Sequence, residues 1–205
     1  RSTQGYSSAA SDVYKRQNYN CPDSFKDILR QYQETDSGLD YEYRRFYSAY
    51  DQIDDTTAFE PLRDLVENIY TNEYLETMLP KWNSAIQEPD TFTQLPLQRD
   101  FYARNIKNAK ERTVVIISDA MRYEVGKELF RRMQDDPKCS AKLEVQLSVL
   151  PSYTRLGMAA LLPHTELTMT DDFKVLVDGL PCDNLSEREA ILHKYLSLIH
   201  ISEPT

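Results

Sequence analysis

Glycine is scarce in this chain, five in 205 residues, which is low for an all-β or repeat protein, and no internal period is found. Cysteine is equally sparse. Cys21, Cys139 and Cys182 are widely spaced and odd in number. They form neither a metal-ligand pattern nor an even disulfide set, and read as free thiols in a reducing cytoplasm. No apolar run approaches the roughly 18 residues needed to span a bilayer, so a membrane-spanning segment is excluded. Basic residues are outnumbered, 24 Lys and Arg against 33 Asp and Glu, for a net charge of −9. A surface of that sign repels a phosphate backbone unless a local basic patch reverses the field, so direct nucleic-acid binding is not expected. The apolar content of 40% places the chain among soluble globular chains of one or two domains.

Both ends are set aside from the fold. Asp12-Val13-Tyr14-Lys15-Arg16-Gln17 can be written in codons whose reverse complement translates as Leu-Ser-Leu-Ile-His-Ile, the sequence of residues 196–201. The flanks therefore read as opposite strands of one DNA element and resemble translated transposase adapters used in sequencing libraries. Residues 1–17 and 196–205 are expected to be adapter-derived tails, with biological sequence over 18–195. Without Arg1, Lys15, Arg16, Asp12 and Glu203 the balance is 21 basic to 31 acidic, a net −10, and only His164 and His193 remain as histidines.

Residues 18–107 read as a helical region. Ser24 is an N-cap candidate ahead of Phe25, Ile28, Leu29 and Tyr32, and Ser37-Gly38 is expected to stop that helix. A second helix is expected from about Asp40 to Ile53, with Tyr43, Phe46, Tyr47 and Tyr50 on one face. A longer helical stretch follows from Leu62 to Ile86, in which Pro80 is expected to kink or restart the helix because proline lacks the mid-helix donor. A further helix is expected from about Gln98 to Lys110. The many tyrosines, without basic residues interleaved on the same face, read as core packing with polar tips at the rim.

From residue 108 the pattern becomes α/β. Thr113-Val114-Val115-Ile116-Ile117 is a continuous β-branched run and predicts a central parallel strand covered on both faces. Met121–Met133 predicts an amphipathic helix, Leu143–Val149 an alternating strand, Thr154–Leu162 a short helix, Lys174–Val177 a third strand, and Ser186–Tyr195 a helix opened by a Ser186–Glu189 capping box. Strand alternating with helix is the signature of a parallel sheet with crossover helices.

Ligands bind at the carboxyl edge of such a sheet. Asp119 follows the first predicted strand, and Thr154 follows the second, near the start of a helix where backbone N–H groups favour an anion. A threonine hydroxyl needs activation to act as a nucleophile, and no His or Lys is close in sequence. A divalent cation held by Asp119 and the Thr154 oxygen would supply it. An Asp after a strand and a Thr at a helix start are also ordinary N-caps, and spacing leaves both accounts open.

Val114-Val-Ile-Ile-Ser-Asp-Ala-Met-Arg-Tyr-Glu124 and Leu150-Pro-Ser-Tyr-Thr-Arg-Leu-Gly-Met-Ala-Ala-Leu-Leu-Pro163 resemble the PglZ family, the phosphatase-like component of BREX phage-defence systems within the alkaline phosphatase superfamily. Tyr43–Tyr50, Leu62–Asn68 and Val175-Leu-Val-Asp-Gly179 are similar to the same family. The resemblance implies a helical N-terminal region followed by the first part of a parallel sheet of alkaline-phosphatase type over 108–195. It implies a metal-dependent phosphatase or phosphodiesterase, with zinc or a similar divalent ion in a two-metal site. Asp119 matches the metal-binding aspartate, and Thr154 the nucleophile that is also a metal ligand. Arg155 is a weak candidate for clamping a phosphate oxygen, a surface salt bridge being the alternative. The implied partners are other BREX proteins, including a DNA methyltransferase. Superfamily sites add Asp and His ligands further along the chain, and neither His164 nor His193 lies in a matching motif. Two ligating groups are too few for the four-ligand shell of zinc, so this stretch alone is expected to hold metal poorly and to turn over no phosphate ester.

Overall fold

The computed structural model describes residues 19–88 and 90–196. Nearly all of both terminal segments set aside above, together with residue 89, lies outside this described part. The described chain divides into two compact units, 19–91 with 120–143 and 92–119 with 144–196.

The first unit is helical. α1 (Phe25–Gln31) passes through a wide π-helical turn, Tyr32–Asp36, into α2 (Ser37–Tyr50). Ser24 caps α1 as expected, accepting from the Asp27 N–H at 3.2 Å. Ser37-Gly38 does not stop the helix. Gly38 is a helical residue whose backbone needs no positive φ, so the chain winds through it. α3 (Glu60–Glu67) likewise runs through a wide turn, Asn68–Leu75, into α4 (Glu76–Ala85). α4 continues through Pro80, and the irregularity lies in the preceding wide turn rather than at the proline. α6 (Tyr123–Gln134) belongs to this unit, and α5 (Phe101–Asn105), shorter than the 98–110 helix expected, to the other. α6 docks by donating from Lys127 Nζ to the Gln33 carbonyl in the first wide turn, 2.6 Å away, where π-helical winding changes the carbonyl pairing.

Tyrosines and carboxylates hold the interior of this unit together. Phe46, Tyr50 and Val66 form a buried cluster with Tyr43, Tyr47 and Leu62 around it. The phenol tips end on acids. Tyr32 and Tyr70 both donate to Asp40 at 2.7 Å, Tyr19 donates to the buried Asp36 at 2.7 Å, and Tyr43 and Tyr47 donate to Glu67. Each pair satisfies two groups that would be costly to bury alone. Burial, and then the hydrogen bond to Asp40, push the Tyr32 and Tyr70 hydroxyls well above the ordinary phenol range. The hydrogen bond from Tyr47 leads in holding the Glu67 carboxyl low.

In the second unit, α7 (Thr154–Ala160) and α8 (Leu185–Leu196) pack with a small sheet of β1 (Leu167–Met169), β2 (Val175–Val177) and β3 (Leu180–Pro181). Leu156, Ala159, Leu162, Val175, Val177, Cys182 and Ile191 are its core. The sheet has the order β1-β2-β3 and is antiparallel throughout, with Leu167 opposite Val177 and Val177 opposite Leu180. In place of the expected parallel sheet of alkaline-phosphatase type, the described residues form a mixed helical unit with a three-stranded antiparallel sheet. Thr113–Ile117 joins no ladder, and Val114 and Ile116 are 72% and 89% exposed. Residues 143–149 keep the in-and-out alternation of a strand but, among the described residues, form only one bridge, the parallel pair Leu97–Leu147. A β-branched run reads as a central strand only when covered on both faces, and the described residues do not cover this one.

The β2–β3 turn is Asp178-Gly179, with φ of +48° and +77°. Both central residues are left-handed, the requirement of the tight hairpin turn for which Asp-Gly is suited. The helix α8 is capped two residues earlier than expected. Asn184 accepts from the Glu187 N–H at 3.0 Å, and Glu187 accepts from the N–H groups of Asp183 and Asn184. This is a capping box with Asn184 in the cap rather than Ser186.

Candidate functional site

α7 places Thr154 at its first turn. Tyr153 precedes it with extended backbone, and the helix buries Leu156, Ala159 and Ala160, which leaves Thr154 and Arg155 on the exposed side. The approach to the helix is fixed by Gln98. Its side-chain oxygen accepts from the Val149 N–H at 3.1 Å, and its amide donates to the Gly157 carbonyl at 3.2 Å. The Leu150–Pro151 bond between them is cis.

Asp119 arrives from the exposed run 113–117, and the next residue, Ala120, takes a left-handed φ of +55° that turns the chain away. The structure brings the two sequence candidates together: the Thr154 hydroxyl donates to Asp119 Oδ2 at 3.2 Å. Both side chains are exposed. Two oxygens that ligate one ion at about 2.1 Å each stand about 3.0 to 3.4 Å apart, according to whether the geometry is octahedral or tetrahedral. The Asp119–Thr154 spacing fits two positions of one such shell. The shell is not filled, because no group of three or more His, Cys, Asp or Glu side chains converges among the described residues. The pair fits a divalent cation in chemistry and spacing and supplies part of its ligands.

The other polar candidates have different surroundings. Arg155 Nη1 is 3.9 Å from Asp183 Oδ2, an ion-pair arrangement along the surface of the unit. His164 is half-buried, with Nδ1 2.7 Å from the Leu162 carbonyl oxygen, and His193 is exposed beside Glu189 at 3.6 Å. A groove of about 770 Å³ runs along Leu147–Leu150, His164 and β1, but neither Asp119 nor Thr154 lines it. Its wall is mostly apolar and neutral polar, with Arg99, Asp100 and His164 as its charged or titratable members. Cys21, Cys139 and Cys182 are all free thiols.

Two functional relationships escaped the sequence reading. Nothing in the sequence marks Tyr153, whose hydroxyl donates to the Phe173 carbonyl at 3.2 Å and so ties the β1–β2 loop to the residue before Thr154. Asp178 receives the N–H groups of Thr165 and Glu166 at 2.9 and 2.7 Å, and the Tyr195 hydroxyl as well. The Asp-Gly pair between two apolar runs was a legible hairpin signal for that position.

No helix among the described residues is long and apolar enough to cross a membrane. The model of the family described as the BREX system PglZ alkaline phosphatase-like domain matches residues 100–202. The chain is 40% identical over 176 residues to an alkaline phosphatase-like protein PglZ of Bacillus cereus (strain H3081.97), covering 82% of this chain and 21% of that protein. It is 34% identical over 171 residues to an alkaline phosphatase-like protein BrxZ of Escherichia coli O9:H4 (strain HS), covering 77% of this chain and 20% of that protein. The chain thus spans about a fifth of the length of the curated relatives it matches. No solved structure matches it significantly.

Proposed function

Because the chain belongs to the PglZ family of BREX alkaline phosphatase-like domains, we propose that it carries the nucleophile end of a metal-dependent phosphoester hydrolase site, with Thr154 as the attacking group and Asp119 as a metal ligand. The observation that carries this reading is the 3.2 Å hydrogen bond between two side chains 35 positions apart, both open to solvent. An exposed polar pair of this kind is worth little to stability, and its position is suited to meeting a ligand. A divalent cation such as zinc, held by Asp119 and the Thr154 oxygen, would lower the hydroxyl's pKa and offset charge on the phosphoryl group. Asp119 orients the hydroxyl by accepting its proton in a hydrogen bond, so that a lone pair of Oγ1 faces the incoming phosphorus. The attack forms the Oγ1–P bond as the bond from phosphorus to the leaving oxygen breaks, the hydroxyl proton passes to solvent water, the leaving oxygen is protonated from solvent, and water later hydrolyses the threonyl phosphate to release phosphate and restore the Thr154 hydroxyl. Arg155, engaged with Asp183, is a secondary candidate for a phosphate oxygen.

The remaining ligands belong to the rest of the whole protein, and this stretch alone is inactive and holds metal weakly. A parallel sheet of alkaline-phosphatase type would be completed there, with the exposed Val114–Ile117 run and the alternating 143–149 segment as its strands. The setting is the bacterial cytoplasm, within a BREX assembly that includes a DNA methyltransferase, without direct nucleic-acid contact by this segment.

To test the reading, Asp119→Ala and Thr154→Ala are made in the whole protein, and metal content and hydrolysis of an aryl phosphate are measured. Both should abolish hydrolysis, and Asp119→Ala should also lower metal content. Hydrolysis that survives Thr154→Ala removes the nucleophile assignment. The exposed apolar run at Val114–Ile117 favours a second reading, a non-catalytic scaffold of the defence complex. It predicts that phage resistance survives both substitutions.

A further inference from the structure

The loop between β1 and β2 breaks a rule of turn chemistry. Phe173 N–H donates to the Thr170 carbonyl at 2.9 Å, and Thr170 N–H to the Lys174 carbonyl at 2.9 Å. That is a turn followed by one left-handed residue, a position suited to glycine. The residue there is Phe173, at φ +60° and 67% exposed. A bulky aromatic held in left-handed backbone with most of its surface in water gains little from packing, and such outliers gather where a ligand is met.

The loop is braced from both sides. Thr170 Oγ1 donates to Asp172 at 2.5 Å and accepts from the Lys174 N–H at 3.1 Å. The Phe173 carbonyl is gripped by the hydroxyl of Tyr153, whose backbone leads directly into Thr154. The Phe173 backbone is therefore held on a fixed hairpin at the tip of the Tyr153 side chain, and Tyr153 is the residue before the candidate nucleophile.

We propose that Phe173 is a substrate-positioning residue of the Thr154 site, an aromatic shelf that stacks on a planar group carried by the phosphoester. This rests on the reading of Thr154 as the nucleophile. It also names a substrate class, phosphoesters with a flat aromatic substituent, in preference to alkyl phosphates. Stacking on an exposed ring is tolerant of the group's hydrogen-bonding pattern, so the selection is for planarity.

The test compares phenyl phosphate with methyl phosphate on the whole protein, wild type against Phe173→Leu, by hydrolysis and by calorimetric binding of each ester. Phe173→Leu should lower the phenyl-to-methyl ratio about tenfold in both measurements. An unchanged ratio, with hydrolysis still passing through Thr154, overturns the role of the ring alone. Selective loss of phenyl phosphate binding in a protein that hydrolyses neither ester keeps the ring's role and overturns the nucleophile. Phe173→Gly supplies a second readout. Relief of the left-handed strain should leave Tm unchanged or slightly higher while the discrimination is lost. A fall in Tm would show that the ring is packed for stability, and would overturn the proposal.

Discussion

Arg44 on α2 and Glu124 near the start of α6 form an ion pair inside the helical unit, with the Glu124 side chain 3% exposed. Arg44 also lies 3.8 Å from Asp40, which accepts from Tyr32 and Tyr70. Both members of the pair fall in stretches that carry the family likeness, Tyr43–Tyr50 and Val114–Glu124. These two positions in those motifs are therefore architectural. Arg44→Ala leaves the buried Glu124 carboxylate alone and should cost about 3 to 5 kcal/mol in chemical denaturation, whereas Glu124→Ala leaves Arg44 partly in solvent and beside Asp40 and should cost less. The double replacement Arg44→Met with Glu124→Leu should recover most of that loss, because neither desolvated charge remains.

The same unit should fail in alkali as one body. Burial leads in raising the Tyr32, Tyr70 and Tyr74 hydroxyls above their ordinary value of 10.0. A group whose folded pKa is raised contributes stability that is fully present below the unfolded pKa and is lost as pH rises beyond it. Tyrosinate absorbance should therefore rise cooperatively above about pH 10 together with loss of helical circular dichroism. Independent titration near 10 with the helices intact would contradict the buried phenol network.

The sheet unit should show the opposite dependence through Asp178. Burial acts to raise its carboxyl, but hydrogen bonds from Tyr195, Glu166 and Thr165 outweigh it, and the net shift is downward. A depressed folded pKa contributes stability that is present above the unfolded carboxylate value of about 4 and is lost as pH falls below it. Tyr195→Phe should cost about 1 to 2 kcal/mol at pH 7. Much of that difference should vanish by pH 3 in urea titrations at the two pH values.

Two glycines should respond with opposite signs. Gly38 is helical with open space where a Cβ would go, so Gly38→Ala should stabilise by about 0.5 to 1 kcal/mol. Gly179 has equal space but a φ of +77°, so Gly179→Ala should cost about 1 to 2 kcal/mol from backbone strain alone.

The Ser24 cap, the helix at Thr154 and the strand at Val175 follow from local chemistry, and each stands where the pattern put it. Local signals failed where the deciding partner is distant. Thr113–Ile117 has the composition of a buried strand, yet burial depends on neighbours that a five-residue pattern cannot show. Pro80 and Gly38 both read as helix breaks, but tertiary packing overrides their propensities. Of the site, the positions of Asp119 and Thr154 were readable from their place after apolar runs. The brace from Tyr153 to Phe173 was not, because a side chain reaching a backbone carbonyl 20 positions away leaves no trace in sequence.

The central claim is that Thr154, oriented by Asp119, attacks phosphorus. The direct measurement is acid quench of the whole protein during turnover of phenyl phosphate, followed by mass spectrometry of the peptide that contains Thr154. The account predicts one phosphoryl group on Thr154, absent after Thr154→Ala and strongly reduced after Asp119→Ala. Continued hydrolysis with phosphate on another residue, or on none in a quench fast enough to trap an intermediate, would contradict it.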